Sequence, residues 1–505
     1  MSTKHDPHGW PATPTALTRR ALLARAGGFA AAAATLPLAR AFVTPAAGAT
    51  AQSAPRGLQA IERGAADYES RRQGAVWQAL KPARYPDVII EARTGTDAVE
   101  ALRYARSRGL TVAVKGGGHN YTGTCLRDGG MLLDVGALRS VEIDAAARRV
   151  RVQPGIRALE FATLLGERNL AFPVPHVSTV PMGGFLLGGG MGWNGEHWGQ
   201  FACFRVRAVE VVTAAGERLT IGPAAHPDLY WAARGAGPAF CAVATAFHLE
   251  AFPMPRSMQS STYLFALEYA EQAAAWLRGL AAGPHADLEL TLVFENGPPG
   301  DGRGEVRRSC IASVTCFAAD ADAARVTLGA VARSAPRTDA LAFTEYAPVT
   351  WADLYLTSST QVPRRLAADN AWSDDPLGVV RVLAREFARA PSTRSVAFAN
   401  FRGPAALPVD AAFSVAGSTY ALWMASWDDA TADAVNLRWV EDLARELDPL
   451  TLGCYINETD VLRRPDRARR CYSESAWTRL QATRERYDPR GTLPPAFGPG
   501  TAMPR

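Results

Sequence analysis

The chain has 505 residues, 48% hydrophobic and 20% charged, a balance that excludes disorder as its main state and a length that asks for two domains or one domain with a large insertion. Its formal charge is +5. Lys4, Arg19, Arg20, Arg25 and Arg40 against Asp6 place four of those charges in residues 1–49, so the remainder is near neutral and offers no electrostatic case for nucleic acid or an anionic membrane surface.

Thr18-Arg19-Arg20-Ala21-Leu22-Leu23 leads into an Ala/Leu-rich stretch ending near Ala47-Gly48-Ala49. Residues 1–49 therefore read as a twin-arginine signal peptide, with the Tat export machinery as a transient partner and a periplasmic or secreted mature protein. No later apolar run is long enough to span a bilayer, so no membrane anchoring is expected in the mature form. Residues 50–81 read as a linker (Gln52 to Arg56) and a short helix over 58–70.

Asp87 to Glu91 reads as a buried strand and Asp97 to Arg108 as an amphipathic helix entered through Thr94-Gly95-Thr96 and stopped by Gly109. A second strand over 110–114 completes a β-α-β unit. It runs directly into Lys115-Gly116-Gly117-Gly118-His119-Asn120-Tyr121-Thr122-Gly123, where three glycines allow a tight turn whose N–H groups point at an anion, a diphosphate above all. A histidine held there could ligate, act as a base, or become attached to the cofactor whose phosphates the loop cradles.

Short strands over 131–135, 141–143 and 150–152 and a helix over 158–168 follow, an alternation typical of α/β or α+β domains. The second glycine cluster, Gly183, Gly184, Gly188, Gly189, Gly190 and Gly192, reads as a place where backbone approaches a flat or anionic ligand closely. Val206 to Thr213 and Arg218 to Ile221 form a hairpin, and an apolar strand spans 241–249. Past Pro253 to Arg256 the texture shifts to strands (261–267, 288–294, 310–317) alternating with Ala-rich helices (270–280, 321–332). Tyr346, Trp351, Tyr355, Tyr420, Trp423 and Trp427 are candidates for stacking on a substrate ring, although such a stripe of aromatics is more often core than pocket, and none is read as catalytic. The chain ends with Tyr455-Ile456-Asn457, a helix over 473–487 and a Pro/Gly-rich tail. Seven scattered cysteines, an odd number with no CxxC, argue against zinc and iron–sulfur sites.

The KGGGHNYTG run after its β-α-β unit, the GG…GGGMG cluster, Arg234-Gly235-Ala236-Gly237 before an apolar strand, and YIN near a C-terminal Tyr487-Asp488-Pro489 together resemble the berberine-bridge-enzyme-like FAD-linked oxidases, of the vanillyl-alcohol-oxidase type. The resemblance implies an α+β fold: a PCMH-type FAD-binding domain of two α/β subdomains over 82–253, a substrate domain with an antiparallel sheet covered by helices over 254–445, and a C-terminal segment, 446–505, that returns to the flavin domain. It implies FAD, joined through His119 by a single covalent link, because Val177 stands where many members carry a second linking cysteine.

By the same resemblance, Lys115, Gly116, Gly117, Gly118, Asn120, Tyr121, Gly123, Thr179, Val180, Gly183, Gly184, Gly188, Gly189, Gly190, Gly192, Val243 and Asn457 bind the cofactor. Tyr455 is the catalytic base, although a tyrosine near pKa ~10 needs help to act at neutral pH, and an edge-strand aromatic packing on the flavin ring is the other reading of it. The implied reaction takes a hydride from a C–OH carbon of a small alcohol, sugar or secondary metabolite. Val180 points to molecular oxygen as acceptor, giving hydrogen peroxide. Amine oxidation and a non-catalytic flavin-fold binding protein are the alternatives. Leu493-Pro494-Pro495-Ala496-Phe497-Gly498 departs from the family's usual C-terminus, so contacts made there by relatives do not carry over.

Overall fold

A computed structural model describes residues 58–497 except 285–286, 297–307, 357–363, 404–406 and 408–409. The twin-arginine segment 1–49, the linker 52–56 and the tail from Gly498 lie outside the described residues.

The first sheet holds β1 (Ala60–Glu62), β2 (Val88–Glu91), β3 (Val112–Lys115) and β4 (Met131–Asp134) in the order β1-β2-β4-β3. β2 and β3 both run parallel to the central β4, while β1 is an antiparallel edge. That edge corrects the helix expected over 58–70. Ile61 is buried by pairing with Ile89, Gly64 turns the chain with φ +99°, and helix begins only at Tyr68. The crossover helix, Gly95–Ser107, starts two residues before the expected position because Thr94 and Asp97 cap it reciprocally: Thr94 Oγ1 accepts from Asp97 N at 3.1 Å and Asp97 Oδ2 accepts from Thr94 N at 2.9 Å. It buries Val99, Leu102 and Tyr104 against Val88, Ile90 and Leu133.

Seven strands follow: β5 (Val141–Asp144), β6 (Arg149–Val152), β7 (Leu170–Ala171), β8 (Val206–Thr213), β9 (Arg218–Ile221), β10 (Ala242–Glu250) and β11 (Phe252–Pro253). Five form an antiparallel sheet ordered β5-β6-β10-β8-β9, and β7 pairs with β11.

Between Pro253 and Ser257 the chain passes into a third sheet, built from β12 (Ser257–Ala266), β13 (Leu288–Asn296), β14 (Arg308–Ala318), β15 (Ala342–Pro348), β16 (Arg365–Ser373), β17 (Val396–Phe401) and β18 (Thr419–Trp427). Every pairing in it is antiparallel, in the order β15-β12-β14-β13-β17-β18-β16. Strand alternation gives it two distinct faces. Leu290, Leu292, Val314, Ala399, Trp423 and Trp427 form a core with helices Ala270–Ala281, Ala321–Ser334, Pro376–Phe387 and Asp433–Leu447. Glu289, Thr291, Thr315, Phe398, Asn400, Leu422 and Met424 point the other way, into a cavity. The remaining chain leaves this sheet and closes on the first half of the molecule. Tyr472 Oη donates to the Ala236 carbonyl at 2.8 Å, and Val112 N donates to the Thr492 carbonyl at 2.7 Å.

Candidate active site

A cavity of about 490 Å³ lies among the three sheets and runs from β3 and the Lys115–Tyr121 loop to the exposed-face residues of β13, β14, β17 and β18. Lys115 to Tyr121 all line it. Gly118 has φ +70°, and a Cβ there would overlap the Ala75 carbonyl oxygen, so the turn admits only glycine. Gly116 and Gly184 lie side by side on the cavity wall. A Cβ on Gly116 would meet nothing nearer than Gly184 N at 4.0 Å, and one on Gly184 would meet nothing within 4 Å.

His119 projects from this loop with its ring stacked on Trp77, centroids 5.0 Å apart and planes 22° apart. Burial, with help from the Arg157 and Lys115 cations, lowers its pKa to about 4 against the pull of a main-chain hydrogen bond to Thr179, so the ring is neutral at physiological pH. Asn120 joins loop to C-terminus: its Oδ1 accepts from Thr122 N at 3.2 Å and from Thr124 N at 3.3 Å, while its Nδ2 donates to the Asn457 carbonyl at 3.2 Å. Lys115 Nζ is paired with Asp134 at 2.8 Å, so its charge is already compensated. Gly123 lies outside the lining, packed on Val76 and Pro82.

The second glycine cluster divides in two. Gly183 and Gly184, in the short helix Met182–Leu187, line the cavity with Val177, Val180 and Pro181. Gly188, Gly189, Gly190 and Gly192 do not line it. A Cβ on Gly188 would overlap the Asn457 carboxamide, on Gly189 the Phe413 ring (2.5 Å), on Gly190 Ala202 Cβ (2.7 Å), and on Gly192 the Pro173 backbone (2.6 Å). Their small size serves protein packing. Thr179 is likewise absent from the lining and reaches the site only through its main chain. The Val243 side chain is buried in the core with Val212 and Leu493, and its neighbours Ala242 and Ala244 face the cavity instead, as strand alternation requires.

Tyr455 is buried in a loop, not an edge strand. Asn370 of β16 clamps it from below, accepting from Tyr455 N at 2.7 Å and donating to the Tyr455 carbonyl at 3.2 Å. The Tyr455 hydroxyl oxygen accepts from Gly190 N at 3.1 Å, Met191 N at 3.3 Å and Asn457 Nδ2 at 2.9 Å. Three N–H donors on one oxygen match a phenolate better than a phenol. Burial and then the nearby Glu458 carboxylate outweigh them and raise its pKa. Burial raises Glu458 too, and Tyr420 Oη donates to it.

Several residues of this cavity are not among those the sequence singled out. Trp77 covers His119. His176 Nε2 pairs with Glu289 Oε1 at 2.6 Å, Glu289 Oε2 accepts from Asn194 N at 2.8 Å, and the His176 ring packs on Trp193 with centroids 4.4 Å apart. Glu458 follows the YIN run directly, a position that did carry a signal. None of the six aromatic candidates lines the cavity. Trp423 and Trp427 face the helices, Trp351 and Tyr355 sit in another core, Tyr420 lies behind Glu458, and Tyr346 is exposed. All seven cysteines are free, and no cluster able to hold a metal occurs among the described residues.

Residues 86–222 match the family model of an FAD binding domain. The chain is 26% identical over 428 residues to the FAD-linked oxidoreductase nodO of Hypoxylon pulicicidum, covering 84% of this chain and 93% of that one. Its fold is similar to that of 6-hydroxy-D-nicotine oxidase from Arthrobacter nicotinovorans (TM-score 0.75, 20% identity, 88% of this chain and 98% of the other). It is equally similar to berberine bridge enzyme from Eschscholzia californica (TM-score 0.74, 18% identity, 89% and 98%).

Proposed function

We propose that this chain is an FAD-linked oxidoreductase of the berberine-bridge-enzyme-like family that oxidises a C–OH carbon of a small alcohol, sugar or secondary metabolite, using molecular oxygen and working outside the cytoplasm. The observation that carries this reading is a single cavity joining the Lys115–Tyr121 loop and His119 to the hydroxyl of Tyr455. The residues suit the cofactor. Gly116 and Gly184 leave a cradle that a Cβ would fill, and a neutral imidazole stands at its edge. FAD, when bound, supplies the hydride acceptor, which oxygen regenerates with release of hydrogen peroxide.

The chain's own residues do the rest. His119, unprotonated, offers a nitrogen lone pair for one covalent link, and Val177 offers no second. Lys115, Gly116 to Gly118, Asn120, Tyr121, Val180, Gly183 and Gly184 would hold the cofactor, with Thr179 and Asn457 bracing the loop. Tyr455 Oη, once ionised, receives the proton of the substrate hydroxyl; Gly190 N, Met191 N and Asn457 Nδ2 support that ionised form against the burial and the Glu458 carboxylate that raise its pKa. Arg19 and Arg20 direct export.

Amine oxidation stays in view because Glu289 and Glu458 line the third-sheet end of the cavity, where among the described residues no lysine or arginine lines it. A panel of alcohols, sugars and amines, read as peroxide release, tests both. Turnover of alcohols that collapses in Tyr455→Phe supports the main reading, and turnover of amines alone overturns it.

A further inference from the structure

The glycine loop brings N–H dipoles to the cofactor end of the cavity, but the nearest lysine has spent its charge, since Lys115 is paired with Asp134. Another cation lines the same end: Arg127, among Val112, Val135, Leu493 and Pro494. One of its guanidinium nitrogens, Nη1, donates to the Pro494 carbonyl at 2.8 Å. Its Nε is buried and has no partner. Among the described residues no carboxylate pairs with it, and the charged side chains that press on it hardest after Cys125 are two further arginines, Arg484 and Arg84. Burial and those cations lower its pKa to about 10, the mark of a charge that the protein alone does not compensate.

A guanidinium largely withdrawn from water and left without a counter-ion is costly unless an anion is delivered to it. The diphosphate is the anionic part of FAD, and a planar fork of N–H donors suits phosphate oxygens. We infer that Arg127 is a cofactor-binding residue that pairs with the diphosphate of FAD, supplying the positive charge that Lys115 does not. The inference rests on the FAD reading. It departs from the glycine-loop pattern, because Arg127 lies four residues beyond Gly123, in the connection leading to β4.

The test separates the two. In a His119→Ala background, where flavin is held without a bond, dissociation constants for FAD and for riboflavin, which lacks phosphate, are measured by flavin fluorescence at several salt concentrations. The Arg127→Gln exchange is expected to weaken FAD at least tenfold, flatten its salt dependence and leave riboflavin unchanged. Arg127→Lys, which keeps the charge but loses the Pro494 contact, is expected to recover most of the FAD affinity and the salt slope. Equal effects on FAD and riboflavin, or no effect on either, overturn the role of Arg127. Failure of the parent to bind FAD more tightly than riboflavin overturns the cofactor reading itself. Should Arg127→Gln fold poorly, Arg127→Lys alone decides: loss of the salt slope with the charge retained contradicts the pairing.

Discussion

The indole of Trp77 lies on the imidazole of His119, centroids 5.0 Å and planes 22° apart, and Trp77 N donates to the Gly118 carbonyl at 3.0 Å. One residue from outside the glycine loop thus fixes both the loop's backbone and the orientation of its histidine. Trp77→Ala should uncover the ring and lower the fraction of flavin that survives acid precipitation several-fold, whereas Trp77→Phe should keep it. An unchanged fraction in the alanine variant would remove Trp77 from the attachment of the cofactor.

His119 also makes a pH prediction. Its folded-state pKa, about 4, lies below the ordinary 6.5, so the folded state binds this proton more weakly than the unfolded state does. Stability from this group is complete above pH 6.5 and is lost as pH falls toward 4, by up to about 3 kcal/mol. Denaturant unfolding of flavin-free protein between pH 7 and 4 should show that slope, and His119→Ala should flatten it.

Tyr455→Phe leaves Gly190 N, Met191 N and Asn457 Nδ2 without their common acceptor. A loss of about 1–3 kcal/mol in stability is expected, together with a fall in the rate of anaerobic flavin reduction of roughly 10²–10⁴. A rate fall with KM little changed marks proton transfer. A rise in KM alone would reduce Tyr455 to packing.

Two glycine variants divide ligand space from protein space. Gly184→Ala has free room around the new methyl, so the protein should unfold at its usual denaturant midpoint but bind flavin less tightly. Gly188→Ala drives a methyl into Asn457 and should cost about 1–3 kcal/mol in stability by overpacking. Reversal of that pattern would contradict the division of the second cluster.

Local signals were legible because they depend on neighbours in sequence. The KGGGH loop and the Val206–Thr213 hairpin are both settled within a few residues. Face assignment was not. β18 alternates visibly, but whether Trp423 or Leu422 meets the cavity depends on which side the helices cover, and Trp423 and Trp427 fell on the helix side for that reason. Nor can a glycine run say what crowds it: the neighbours of Gly188 and Gly189, Asn457 and Phe413, are distant in sequence. The His176–Glu289 pair, 113 residues apart, carried no signal that strand spacing could supply.

The central claim is a flavin bonded through His119. The most direct measurement is the absorbance of the acid-precipitated, washed pellet of purified protein beside that of His119→Ala. A yellow wild-type pellet with a flavin spectrum and a colourless mutant pellet is the expected result. A wild-type pellet that releases all its flavin into the acid supernatant, or a His119→Ala pellet that stays yellow, would contradict it.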